Sequence, residues 1–495
     1  MKKRGSVTIF FSLFMAVFLI LIQVMFHSVQ IAGGRVQVEA GVEEGLYSVF
    51  AGYQRELLEK YHVFFLDGGY GSGALQPGYM YQILEESIGR SCSPGKTFRG
   101  FRGENQWKIS NPSGKICGYT LATDQKGQAF KMQAVDYMKD TVGIQGIQLL
   151  LQQMKMQTQI IKEQEQSGSI DQAKQAFQSY KEEKDKAEQG GQENSQQELA
   201  EPGPVPEDFV NPLEVIQQWK DRGILALVLP AEDMISSGKF SGAESLLKRN
   251  CEQGMGAIYS GENPNTAWNN IIFQEYMVRH LKTYTDEKER DGLPGEGLSY
   301  QLEYAVAGKN TDMENLKSVV MRLLAVREAA NLTFLLSDPS SQAQIQEMAL
   351  TICSYIGMPF LGSVVSLALQ AAWAFGESVL DVRQLLQGQE IPLIKTGTSW
   401  QLSLNQLGKL TQGLQNQGTQ QKGMSYEEYL RLLLFLGNSQ EQVLRTMDIV
   451  EQEIRKTEGN GNFRMDLCVS YLKTEIQVDC GGKDLFIERE YGYEM

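Results

Sequence analysis

Residues 1–26 read MKKRGSVTIFFSLFMAVFLILIQVMF, and this opening stretch decides the class of the whole chain. Residues 7–26, opened by Val7 and closed by Phe26, form an apolar run interrupted only by Thr8, Ser12 and Gln23. At about 1.5 Å per helical residue, such a run spans roughly 30 Å, the thickness of a bilayer's hydrocarbon core. Lys2, Lys3 and Arg4 stand directly before it. Cationic residues hold their end of a span in the cytoplasm. The expected topology is a single pass at the cell membrane, N-terminus inside, with the bulk of the chain extracytoplasmic. A cleaved signal peptide is the alternative, with Ala32-Gly33-Gly34 as a late cleavage site. Signal peptides carry a core of about 7–15 residues ending in small side chains. Here Val24, Met25, Phe26 and His27 close the run instead, so a retained anchor is expected.

Beyond the anchor (1–30), the apolar residues Val38, Val42, Leu46, Val49, Phe50, Tyr53, Leu57 and Leu58 recur at helical spacing. They predict a stalk helix over residues 36–61. The strand-like residues 62–66 (HVFFL) and the breaker Asp67-Gly68-Gly69 follow, so 31–150 reads as stalk plus a small α+β region. Residues 151–210 are rich in Gln, Glu and Lys, and Pro202, Pro204, Pro206 and Pro212 cluster near their end. That composition predicts a flexible linker, most mobile over 163–210. Residues 211–495 then read as the main α+β ectodomain.

Its helix starts are explicit: Asn211-Pro212-Leu213-Glu214, Thr311-Asp312-Met313-Glu314 and Ser425-Tyr426-Glu427-Glu428, with Ser439 capping one more helix. Residues 224–229 are a strand candidate or a buried segment. Residues 463–478 alternate and are rich in Val, Ile, Tyr and Thr, which predicts a terminal strand or hairpin. Residues 352–375 form a second apolar run, but Gly357, Pro359 and Gly362 interrupt it. A buried hairpin or core helix is expected there, with a second membrane segment as the alternative. The fold class is α+β: a transmembrane helix, a helical stalk, a mostly helical ectodomain and a C-terminal β element.

Net charge is −14, so nucleic acid and anionic lipid make poor partners for the bulk of the chain. Three histidines, His27, His62 and His280, are scattered and supply no zinc site or acid–base pair. The run Gly68-Gly69-Tyr70-Gly71-Ser72-Gly73 has the wrong spacing for a dinucleotide loop, and Pro77 stands where a helix should continue; a flexible turn is expected. GRSCSPGKT at 89–97 puts five residues between its glycines where a phosphate loop needs four. Catalytic residues, cofactors and metals are therefore all expected to be none. Six cysteines allow disulfides outside the cell, and proximity suggests Cys92 with Cys117 and Cys468 with Cys480; free thiols are the alternative. Arg322, Arg327 and Glu328 are expected to form structural ion pairs with Glu377, Asp381 or Arg383, and Trp373 to lie in the core.

Gly5-Ser6 after a basic leader, followed at once by an apolar helix, resembles a prepilin-type start. It looks most like the N-terminal segment of TadE/TadG-like proteins of the tight-adherence (Flp) pilus system. Shaft pilins carry Glu at the fifth position after the cleaved Gly, and that position here is Phe10. Three further blocks, residues 297–338, 373–400 and 424–436, resemble an uncharacterised domain family of Gram-positive Clostridia found beside tight-adherence genes. The resemblance implies a non-enzymatic, membrane-anchored component of such a pilus or a related secretion apparatus. Its partners would be pilus subunits or other tight-adherence proteins, with no nucleic acid. A surface adhesin or binding module is the alternative, and a membrane-anchored hydrolase the third reading.

Overall fold

The computed structural model describes residues 4–92, 107–166, 168–189, 211–229, 235–256, 265–288, 297–407 and 422–493. Lys2, Lys3, the proline cluster at 202–206 and most of the phosphate-loop-like stretch lie outside them, as does the 190–210 part of the expected linker. The chain divides into two units, each discontinuous in sequence. The first comprises residues 1–137, 246–264 and 447–495; the second comprises 138–245 and 265–446.

In the first unit a single long helix, α1 (Arg4–Phe50), is followed by α2 (Arg55–Tyr61), α3 (Pro77–Cys92) and most of α4 (Asp124–Val142). The expected stalk helix over 36–61 is thus two helices, parted at residues 51–54. Four antiparallel strands complete the unit: β1 (Leu66–Asp67), β2 (Ile109–Leu121), β3 (Cys468–Cys480) and β4 (Lys483–Gly492). β3 is the centre. It pairs with β2 on one side, and with β1 and β4 along the other. Gly481 and Gly482 join β3 to β4 at φ 61° and 85°, the two consecutive positive values that a two-residue hairpin of the right twist requires. Alternation puts Ile476, Val478, Leu485 and Ile487 inside with Val38, Val42, Leu46, Leu84 and Ile88, while Phe486 points out.

Among the described residues the regular elements of the second unit are helices: α5 (Ile144–Gln166), α6 (Ser169–Gln189), α7 (Pro212–Arg222), α8 (Ile224–Val228), α9 (Ala267–His280), α10 (Tyr284–Lys288), α11 (Gln301–Ala307), α12 (Asp312–Ser337), α13 (Pro339–Tyr355), α14 (Gly362–Leu386), α15 (Tyr426–Leu436) and the start of α16 (Ser439–Arg455). α14 is its axis, packed by α6, α7, α8, α12 and α13. Three caps act as read: Asn211 accepts from Leu213 N, Thr311 from Glu314 N, and Ser425 with Glu428 closes a full capping box; the cap expected at Ser439 is instead Asn438, whose Oδ1 accepts from Gln440 N at 3.1 Å, with Ser439 as the first helical residue.

Three expectations change. Residues 151–166 and 169–189 are not linker but the end of α5, which buries Met154 and Ile161, and α6, which buries Ala173, Ala176 and Tyr180 and packs on α14 and α12. Small side chains suffice for that contact because helices approach closely where residues are small. Residues 224–228 are helical rather than a strand. The C-terminal β element is not part of a 211–495 body: it completes the unit that begins with α1.

Candidate functional site

α1 changes character along its length without a break. Large apolar residues over 7–29 are exposed on every face, from Val7 at 60% to Phe26 at 73%. From Val38 onward one face is closed: Val38, Val42, Leu46, Val49 and Phe50 are buried. A helix apolar all round is at home in lipid, while one with a single apolar stripe is at home against a core. α1 and the segment from Pro359 to Leu386 are the two helices among the described residues long and apolar enough to cross a membrane. The second is 56% buried by its own neighbours. Residues 352–375 are accordingly the end of α13, a short turn and the start of α14, a packed helical hairpin.

Glycines make the packed half of α1 possible. A Cβ at Gly33 would come within 2.5 Å of the Trp107 ring, and one at Gly45 within 2.5 Å of Leu84 Cδ1. At Gly34 it would overlap Cys480 Sγ, and at Gly41 it would press on Ser91 Cβ at 3.1 Å. These positions let α3 and the end of β3 lie directly on the backbone of α1. The stretch Ala32-Gly33-Gly34 is therefore interior helix, packed on Trp107 and Cys480, and not an open cleavage loop. At the rim, Arg489 of β4 bridges Glu39 and Glu43 of α1 at 3.1 and 3.3 Å. Arg4 and Gly5 are the first residues of α1.

The cysteines do not pair as expected. All six are free thiols. Cys468 and Cys480 are the two ends of β3, about 40 Å apart at roughly 3.3 Å per residue, whereas a disulfide needs Cα atoms within about 7 Å. Cys117 sits on β2 and donates to Lys473 O at 3.4 Å. Cys92 ends α3 inside the core, where burial and the neighbouring Cys480 push its thiol up to about 11.

The glycine run after β1 is a hydrogen-bonded turn. Asp67 accepts from Gly69 N at 2.9 Å and from Gly71 N at 3.0 Å. Gly68 N donates to Leu467 O, Tyr70 N to Asp67 O and Ser72 N to Gly69 O. The five amides of residues 68–72 are thus occupied within the protein and do not cradle a phosphate, and the adjacent carboxylate repels one. The turn borders an open groove of about 710 Å³, lined by Gly52, Gln54, Asp67, Tyr70, Ser72, Gln76, Tyr79 and Asn460 among others.

In the second unit α14 presents Glu377 and Asp381 to Lys395 at 2.5 and 2.7 Å. Arg327 of α12 binds Asp381 at 2.9 Å and donates to the Pro392 and Leu393 carbonyls and to Tyr429. Each of these four ionic side chains is 0% exposed. The charge pattern left Arg327 either Glu377 or Asp381 as partner, and the structure pairs it with Asp381; Lys395, which completes the network, carries no local signal. Burial raises Glu377, and Lys395 only partly offsets it. Burial also opposes ionisation of Asp381, but Arg327 and Lys395 outweigh it and hold it low. Arg322 and Arg383 instead donate to the carbonyls of Val306 and Leu227. Trp373 is buried and donates to Leu402 O at 2.7 Å. Elsewhere, Glu303 accepts from Tyr284 N and the Tyr426 hydroxyl, and burial lifts it to about 7.

His62 stacks on Tyr137 at 4.2 Å, and His280 contacts Tyr276 O through Nδ1 at 2.9 Å. Among the described residues no cluster of His, Cys, Asp and Glu could hold a metal ion. A model of a protein family described only as being of unknown function matches residues 204–480. No curated protein and no solved structure matches the chain.

Proposed function

The chain belongs to that family, DUF5702, and from its own geometry we propose that it is a membrane-anchored, non-enzymatic component of a tight-adherence pilus or related secretion apparatus. The observation that carries the anchor is α1, bare and apolar over 7–29 and built into a core from Val38 without an intervening linker. Any load on the folded unit passes straight into the membrane segment, which suits a part of a surface machine better than a tethered enzyme. The N-terminus lies in the cytoplasm and both folded units outside, by the charge before the span. The pilus assignment is supported by the prepilin-like start at Gly5. The non-enzymatic reading is supported by the depth of the carboxylate pair Glu377 and Asp381, which no substrate reaches.

Two measurements test this. Cell fractionation should leave the chain in membranes after alkaline carbonate washing, and external protease should reach a C-terminal tag. Recovery in the soluble fraction, or a fully protected tag, rejects the anchor or its orientation. Phe10 stands where a shaft subunit needs a carboxylate to meet a buried terminal ammonium, whose loss costs several kcal/mol, on the order of a broken buried pair. Mass spectrometry of sheared pili should therefore find the chain far below the main subunit, and a near-equal ratio rejects a base or tip position.

A further inference from the structure

We propose that the groove beside the 67–73 turn is a binding site for an uncharged oligosaccharide. All of its lining residues belong to the first unit. The lining holds no Lys or Arg, and its one ionic group is Asp67, whose two oxygens accept from the Gly69 and Gly71 amides. Anionic ligands such as nucleotides or phosphosugars therefore have nothing to bind. The other polar groups of the lining are neutral. Gln54 donates through Nε2 to Asn460 Oδ1, and Gln76 through Nε2 to Ser72 Oγ. Among the described residues this leaves the Gln54 and Gln76 carbonyls as acceptors and the Asn460 amide as a donor, all bordering the groove.

A sugar hydroxyl both donates and accepts, so it is the group that a mixed set of neutral amides satisfies at once. The groove also carries an aromatic surface. Tyr79 is 48% exposed and meets Tyr70 edge to face at 4.6 Å, which fixes its ring while leaving it accessible. A pyranose has a C–H face with slightly positive hydrogens, complementary to the negative face of an aromatic ring. The volume, about 710 Å³, is that of a drug-sized ligand and admits two to three sugar rings. The glycines Gly52, Gly69, Gly71 and Gly459 keep the walls low, as an oligomer entering from the side requires.

The inference stands whether or not the chain belongs to a pilus, because it is read on the purified protein. The full chain is solubilised in a zwitterionic detergent, which brings no sugar headgroup, and titrated calorimetrically with chitotetraose, cellotetraose, maltotetraose, mannotetraose and xylotetraose. Saturable binding is expected for at least one of them, near or below millimolar. Tyr79→Ala and Asn460→Ala should each weaken that binding about tenfold or more with the thermal unfolding midpoint unchanged. Gln76→Ala serves as a third probe should either variant unfold. Absence of saturable binding across the five sugars overturns the proposal. Binding that survives all three substitutions overturns it too, as does saturation by an unstructured polar peptide when no sugar binds.

Discussion

α1 and α14 share a hydropathy signature and have opposite surroundings, the apolar window of the first bare and that of the second 56% buried. Both are long and apolar enough for a bilayer. α1 has no ionisable residue between Arg4 and His27, and its packed half meets its neighbours through glycine. α14 carries Glu377 and Asp381 four residues apart on one face, and cations from two other places neutralise them. Length and hydropathy therefore do not separate a membrane helix from a core helix; the means of contact does. A helix bound for lipid has nothing to pair, whereas a core helix can afford a carboxylate once its counter-ion is supplied.

The sharpest way to break this contrast is to remove the counter-ion. Lys395→Ala leaves Glu377 without a cation and Asp381 with Arg327 alone, both at 0% exposure, and should destabilise the second unit by about 3–5 kcal/mol in denaturant titrations. A loss under about 1 kcal/mol would show that the network is incidental. Next comes pH. Glu303 is fully buried, and burial raises its carboxyl from 4.5 to about 7. A raised acid stabilises the folded state below its unfolded pKa and loses that contribution as pH climbs to the folded value. Between pH 4.5 and 7 the second unit should lose on the order of 3 kcal/mol from this group. Glu303→Gln should flatten that slope, and an unchanged pH profile would remove Glu303 as its source.

On the α1 side the effects are smaller. Gly45→Val drives a side chain into Leu84 and should cost the first unit about 1–3 kcal/mol by thermal melting. Gly78 of α3 has open space around it, so Gly78→Ala should instead stabilise by roughly 0.5–1 kcal/mol. Equal responses at the two glycines would deny that close approach is what α1 needs. A last measurement, peptide mapping without reductant, should recover no link between Cys468 and Cys480.

Local chemistry was legible in the sequence, and long-range assembly was not. The apolar run, the caps at Asn211, Thr311 and Ser425, and the alternation of β3 each sit within a few residues of their consequence. α6 was misread because its buried stripe, Ala173, Ala176 and Tyr180, has almost none of the large apolar side chains by which amphipathic helices are recognised. The groove joins residues near 70 to Asn460, and the α14 network joins Glu377 to Lys395 across an irregular loop. Neither spacing has a local signature. The division into units was hidden for the same reason, since the first is assembled from three separate stretches.

The central position of β3 sets a schedule for synthesis. α1 and β2 leave the ribosome early, yet the strand on which β2, β1 and β4 all pair is made almost last. At about 5–20 residues per second, the Gly34 contact of α1 and the edge of β2 wait for tens of seconds for β3, although α3 reaches Gly41 and Gly45 much sooner. During that interval the nascent first unit exposes apolar surface and an unpaired strand edge, while the intervening helical unit can already close. A stop codon anywhere before residue 468 therefore does not trim the protein from its end: it removes the middle of the sheet that its beginning was waiting for.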